Sequence, residues 1–326
     1  MSSGAAGIEL GKGAPGAGSF RERLRRGDEA AYIVTFTFAS AILLIIALLV
    51  FELYRNATLS IHKFHWAFFV TTTWDPIAGD FGALPFIFGT VVTSTLALLM
   101  AVPVGLGAAI FLAELAPPRT SNALTFAIEL LAAIPSVIYG LLGIFVLVPI
   151  MRSVVLPALK GSLGFLPLFQ GPNYGIGMLT AGVVLAIMLL PFIISISREA
   201  LLAVPREQRE AALAVGATRW EATWDAVVPY ARLGIIGSVF LALARALGET
   251  MAVTMVIGNT PWIKASLLAP AYSIASVIAN EFTEATSNLH LSALIELGLV
   301  LFLITMVING LARLMVLATA RKGTAQ

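Results

Sequence analysis

The chain has 326 residues, 59% of them hydrophobic and 12% charged, with a net charge of +2 and no cysteine. A soluble domain carries roughly twice that charged fraction, so the composition excludes a water-soluble fold and points to a chain that crosses a membrane several times. The near-neutral charge gives no nucleic-acid surface, and the lack of cysteine excludes disulfides, thiolate metal sites and cysteine nucleophiles.

Residues 1–28 are rich in Gly, Ala and Ser and close on Arg21, Arg23, Arg25 and Arg26. They read as a disordered cytoplasmic tail with a basic anchor, without the apolar core or cleavage site of a secretory signal. The first apolar run long enough to span is 32–53. Residues 54–83 are too polar to span and too aromatic to be free in water, so they are expected at the outer interface, where Trp and Tyr settle. His62 and His65 lie in this stretch, but no third ligand is near them, so no metal site is expected. The further runs are 84–115, interrupted by Pro103, Gly105 and Gly107; 124–150, with Pro135 inside it; 175–196; 233–257; and 291–318. Residues 152–174, broken by Pro157, Gly161, Gly164, Pro167 and Pro172, form a candidate outer loop.

Six spans put both termini on one side of the membrane. Arg21 to Arg26, the basic residues from Arg198 to Arg232, and Arg313, Arg321 and Lys322 fall on that side, against Arg55, Lys63, Arg152, Lys160 and Lys264 on the other. The positive-inside rule makes the richer side cytoplasmic. The expected fold is therefore an all-α integral membrane protein with six transmembrane helices and both termini in the cytoplasm. Glu129 and Glu296 are expected near its polar boundaries.

The segment between the fourth and fifth spans is the most polar part of the body. Pro205 suits the start of a helix, having no N–H to leave unpaired. Glu207, Glu210, Ala211, Ala212, Leu213 and Ala214 are good helix formers. Gly216 can close that helix in the left-handed conformation. Thr218, with Glu221 three residues on, can cap a second helix, and Pro229 then turns the chain back toward the membrane. Such a segment is either a solvated loop or a docking surface.

The spacing favours docking. Glu210-Ala211-Ala212, three residues, Gly216 and then Pro229 resembles the EAA motif of ABC-importer permeases, with Ala226 and Val228 in place of its Ile and Leu. In that family the loop forms coupling helices that enter a groove on an ATP-binding subunit. The resemblance implies that Glu210, Ala211, Ala212, Gly216 and Pro229 couple the chain to an ATPase. No Gly-x-x-x-x-Gly-Lys-Ser/Thr motif occurs. ATP and Mg are therefore expected on a partner ATPase, with no enzymatic activity, cofactor or metal on this chain.

Arg245 and Glu249 stand inside the fifth apolar run. Arg245 lies about twelve residues past its start, roughly 18 Å at 1.5 Å per residue, and a charge at mid-bilayer costs at least ~2.5–3.5 kcal/mol. Glu249, four residues on, would share its helix face. The pair is either an internal ion pair that fixes packing or part of a substrate pathway. In the second case Arg245 presents a planar fork of donors to a tetrahedral oxyanion, with Glu249 as its resting counter-ion. Thr90, Thr93, Ser94, Ser136 and Tyr139 are weaker candidates for lining the path, since Ser and Thr in membrane helices usually bond to backbone. Pro103 and Pro135 are expected to kink their helices.

The run Arg245-Ala-Leu-Gly-Glu249-Thr-Met-Ala-Val, with Trp74-Asp75-Pro76, Phe81-Gly-Ala-Leu-Pro85 and Ile134-Pro-Ser-Val-Ile-Tyr-Gly140, is similar to the permease subunits of the bacterial phosphate-specific ABC transporter. The resemblance covers the chain from about residue 32 to 322 and implies a multi-pass permease domain over 29–322, including the coupling loop 205–229, followed by a short tail, 323–326. It implies inorganic phosphate as the substrate and the bacterial cell membrane as the location. It also implies a sister permease PstA, two copies of an ATPase PstB and an extracytoplasmic phosphate-binding protein PstS. A permease for another oxyanion, such as sulfate or molybdate, and an ion-coupled secondary transporter using Arg245 and Glu249 as a proton relay are the alternatives. A membrane enzyme lacks the required nucleophile–base or metal constellation.

Overall fold

A computed structural model describes residues 28–323, with side-chain surroundings defined for 31–315. The tails expected at 1–28 and 323–326 lie outside the described residues but for Asp28 and Gly323. Six helices among the described residues are long and apolar enough to cross a membrane: Ala31–Phe64, Leu84–Leu115, Ser136–Leu163, Met178–Leu202, Arg219–Leu247 and Asn288–Met315.

Helix α1 (Asp28–Phe64) runs through the boundary between two compact units, at Glu52 and Leu53. In the first unit its Tyr32, Phe36, Leu43, Leu44 and Leu48 are exposed. The Thr35 and Thr37 hydroxyls donate to the carbonyls of Ala31 and Ile33, each at 2.7 Å, so the helix consumes its own polar groups as a lipid-facing helix must.

The second unit begins with the end of α1, which continues beyond the expected stop at Leu53, and with the short helix α2 (Ala67–Val70). A two-stranded hairpin follows, β1 (Trp74–Asp75) antiparallel to β2 (Asp80–Phe81), with Trp74 opposite Phe81. The Asp75 carboxylate folds its tip by accepting the N–H groups of Ile77 and Ala78 at 2.9 and 3.1 Å. The Trp74 indole N–H donates to Glu281 at 2.8 Å, and His290 Nε2 lies 3.1 Å from the same carboxylate oxygen. Residues 54–64 therefore continue α1, and 65–83 fold into a compact cap. Phe68, Phe81, Phe86, Tyr272, Leu294 and Leu297 fill its core.

Helix α3 (Leu84–Ile110) packs along α8 (Met178–Leu202), and the two carry the centre of the bundle, with Ala97, Ala101, Leu185, Leu189 and Ile193 buried between them and their neighbours. Pro103 sits inside α3 without ending it. Close approach is decisive at Gly89, where an added Cβ would stand 2.2 Å from the Tyr272 carbonyl oxygen. Because that neighbour is backbone, Gly89→Ala is expected to cost about 1–3 kcal/mol. A thermal unfolding curve of the purified protein, followed by tryptophan fluorescence, should show the midpoint several degrees lower.

The third span differs from expectation. A mostly exposed helix α4 (Pro118–Ala132) stops before Pro135, and α5 (Ser136–Leu142) starts after it. Proline removes a donor and pushes Ile134 away from the helical region, so it separates two helices here rather than kinking one. The span continues through a π-turn (Gly143–Leu147), α6 (Val148–Ile150), a second π-turn (Met151–Val155) and α7 (Leu156–Leu163), so residues 152–163 are helix and not loop.

The remaining elements are α9 (Arg206–Ala214), α10 (Arg219–Ala222), α11 (Val228–Leu247), α12 (Met251–Ile257), α13 (Ile274–Glu281) and α14 (Asn288–Gly323). Glu296 on α14 is 4% exposed and lines an apolar cavity of 310 Å³ with Ile61, Trp66 and Leu303.

Candidate functional site

The two features singled out in the sequence are joined by one helix. Helix α9 ends in a Schellman motif: the Gly216 N–H donates to Leu213 O at 3.0 Å and the Ala217 N–H to Ala212 O at 3.2 Å. Gly216 has φ +93°, open to glycine and strained for other residues, and an added Cβ would meet nothing within 4 Å. Thr218 then caps α10 in a full capping box, its Oγ1 accepting from Glu221 N–H at 3.3 Å while the Glu221 carboxylate accepts from Thr218 N–H at 2.7 Å.

The second helix does not stop at Pro229. A π-turn, Thr223–Val227, carries α10 directly into α11, and Pro229 occupies the first turn of α11, where its missing N–H is harmless. Glu210, Ala211 and Gly216 are exposed and Ala212 is half-buried, and no residue of α9 is fully buried. Beside them Leu213, Val215, Trp220 and Trp224 are 45%, 86%, 56% and 52% exposed, and the two indoles stack at 5.9 Å. The hairpin thus presents small residues flanked by apolar ones.

Arg209 ties this hairpin to the bundle. Its Nε donates to both Glu114 carboxylate oxygens at 3.2 and 3.1 Å, and its Nη2 to Glu114 Oε1 at 2.7 Å and to Leu201 O at 2.8 Å. Nη1 donates to Val204 O. Sequence reasoning missed this pair because Glu114 and Arg209 are 95 positions apart. The only local hint is an acid at the end of a span and an arginine just before Glu210.

Helix α11 has 20 residues and so reaches about 30 Å from the hairpin. Arg245 lies in its last turn. The fifth span is not continuous to Ile257 as expected. It breaks at Gly248, Glu249 and Thr250 and resumes as α12. Arg245 and Glu249 consequently do not share one helix face. Glu249 Oε1 accepts the Ala252 N–H at 3.2 Å, capping α12, and no ion pair joins it to Arg245 among the described residues. The Arg245 guanidinium is exposed, with its Cζ 5.7 Å from the centre of the Phe192 ring on α8. The break leaves the carbonyl end of one half-helix and the N–H end of another side by side, each marked by a charged side chain.

The lining candidates separate. Thr90, Thr93 and Ser94 are 2%, 2% and 1% exposed, so they are buried within this chain. The Thr90 hydroxyl donates to Phe86 O at 2.8 Å and accepts from Ile274 N–H at 2.9 Å, and Thr93 donates to Gly89 O at 2.6 Å. Tyr139, 6% exposed, donates to Leu131 O at 2.7 Å across the Pro135 break. Ser136 is half-buried in the first turn of α5. No group of three or more His, Cys, Asp or Glu among the described residues is placed to hold a metal.

The family model described as "Binding-protein-dependent transport system inner membrane component" matches residues 101–321. A protein of Mesorhizobium japonicum named phosphate transport system permease protein PstC is 48% identical over 86% of this chain and 88% of its own length. One of Xylella fastidiosa with the same name is 52% identical over 78% and 80%. A probable PstC of Methanocaldococcus jannaschii is 37% identical over 89% and 93%. Among solved structures, a bacterial ABC transporter involved in the import of the acidic polysaccharide alginate matches with a TM-score of 0.58 and 18% identity, over 89% of this chain and 98% of that chain. The alginate transporter bound to its periplasmic protein matches with a TM-score of 0.59 and 17% identity, over 90% and 96%. At these identities the two structures speak to the fold alone.

Proposed function

The chain belongs to the PstC family of inner-membrane components of binding-protein-dependent transport systems, and on that premise we propose that it is the permease subunit through which inorganic phosphate enters the cell, driven by ATP hydrolysed on a partner. The observation that carries this reading is α11 itself. One rigid helix has a docking hairpin at one end and, at the other, a helix break flanked by Arg245 and Glu249. A displacement of the hairpin is delivered to the break over its length.

Broken helices are how transporters place polar backbone and charge at membrane depth without exposing them to lipid. Arg245 supplies the permanent cation and fork geometry that a phosphate oxyanion takes. Its aromatic neighbour Phe192 holds the guanidinium while leaving its donors free to exchange partners. Glu249, fixed by the Ala252 N–H, sets a repulsive wall that keeps the anion from settling permanently. The hairpin face of Glu210, Ala211, Ala212 and Gly216, with its apolar flanks, docks an ATPase that carries the ATP and Mg. The full assembly pairs this chain with a PstA-type permease, two PstB-type ATPases and a PstS-type binding protein on the outer face, with both termini in the cytoplasm.

Proteoliposomes of the full assembly, loaded with ATP and supplied with binding protein, test the substrate. Labelled phosphate is expected to accumulate, and a hundredfold excess of sulfate or molybdate is expected to leave the rate unchanged. Sulfate or molybdate uptake faster than phosphate uptake would overturn the assignment.

A further inference from the structure

The Thr223–Val227 turn packs on the ends of the second and fourth spans through Val227, buried with Leu112, Leu201 and Val204, but α9 itself needs a separate connection to those spans. Helix α9 buries no residue, and its main backbone neighbours are its own hairpin partners, α10 and the Thr223–Val227 turn. On either side of Arg209 the protein is open: one cleft of 230 Å³ is lined by Leu213, Arg219 and Thr223, another of 440 Å³ by Leu202, Arg206 and Glu210, and Arg209 and Glu114 line both. Across that gap the Arg209 guanidinium reaches the end of α3 through Glu114 and the end of α8 through the carbonyls of Leu201 and Val204. The Glu114 and Arg209 side chains are only 10% and 21% exposed.

We propose that Arg209 is a positioning residue for transport: its fork on Glu114 and on the carbonyls of Leu201 and Val204, at and just past the end of α8, transmits movement of α9 to the second and fourth spans. The proposal rests on the importer reading above. The geometry suits the task. A planar guanidinium holding four acceptor oxygens on three residues resists both sliding and rotation, which a single-point contact does not. Glu114 sits in the Phe111–Leu115 π-turn, and π-turns are local irregularities often found where a helix serves a function. The hairpin then drives three spans together: the fifth through the continuous α11, the second through Glu114, and the fourth through Leu201 and Val204. Without Arg209, α9 still docks the ATPase, and the second and fourth spans are left with only the apolar contact at Val227.

The absence of cysteine from this chain allows a direct test in the full transporter, with partner-subunit cysteines replaced. Glu114→Cys and Arg209→Cys are introduced together and bridged by a reducible bifunctional thiosulfonate. Phosphate transported per ATP hydrolysed is then measured before and after reduction. The bridged complex, which restores the link to the second span, is expected to keep most of the wild-type ratio, and reduction is expected to lower it roughly tenfold, within the usual strength of coupling between sites, while ATP hydrolysis continues. Glu114→Gln and Arg209→Met should behave like the reduced form. A role in folding or assembly alone would lower transport and hydrolysis together and leave the ratio constant. An unchanged ratio on reduction overturns the proposal. If the wild-type assembly itself takes up no phosphate with ATP and binding protein, the importer reading fails instead.

Discussion

Arg245→Gln is expected to lower phosphate uptake by about two orders of magnitude in fully assembled transporter, and Arg245→Lys by less. Hydrogen bonds to a charged group are worth about 1.5–3 kcal/mol each, and a tetrahedral oxyanion takes two from one guanidinium. Lysine keeps the charge but offers a point rather than a fork. The structure separates this from a packing effect. Arg245 is exposed and makes no ion pair among the described residues, so its removal leaves no buried carboxylate stranded. Its contact with Phe192 is worth about 0.5–1 kcal/mol at an exposed site, too little to account for such a loss through instability. Uptake of labelled phosphate at matched amounts of assembled protein is the measurement, and full uptake by Arg245→Gln would remove Arg245 from the pathway. Glu249→Gln is the informative companion. It preserves an acceptor for the Ala252 N–H and deletes only the charge, so any change in uptake reports the charge and not the cap.

The second large effect is at Gly216. Gly216→Trp is expected to abolish the stimulation of ATP hydrolysis by phosphate-loaded binding protein while leaving the hairpin folded. The Cβ direction is empty within this chain, so the indole has room there and meets an obstacle only where the partner docks. Part of any effect comes from the backbone: a side chain at φ +93° is strained, by roughly 1–2 kcal/mol for a left-handed residue. Gly216→Asn separates the two causes, since asparagine enters the left-handed region more readily than most residues. It should retain most of the stimulation. Equal loss in Asn and Trp variants would assign the effect to the backbone and not to docking.

What could be read in the sequence was local chemistry. Gly216 and Thr218 declare a helix end and a helix start through residue types that few other conformations favour, and the structure has both. The apolar runs revealed six spans because length and hydropathy suffice for that. Breaks inside apolar sequence were harder. On both sides of Pro135, and of Gly248 to Thr250, the composition stays apolar, so hydropathy gives no sign of where one helix stops and another begins. At the second break the four-residue spacing of Arg245 and Glu249 suggested a shared face that exists only if the helix is continuous. The threonines followed the usual habit of hydroxyls in membrane helices. Thr90 and Thr93 look polar in sequence, yet their hydroxyls are consumed by backbone groups, one of them on Ile274, far along the chain. The link between Glu114 and Arg209 had no local signature, because its geometry arises only when the ends of α3, α8 and α9 meet.

ATP hydrolysis and phosphate uptake measured together, in proteoliposomes containing the complete assembly, test the central claim most directly. With phosphate-loaded binding protein outside and ATP available to the ATPase, both rates should rise together, and omission of the ATPase subunit should abolish uptake. Phosphate accumulation by this chain and its sister permease without an ATPase, driven by an ion gradient alone, would contradict an ATP-driven importer and leave the hairpin without its assigned role.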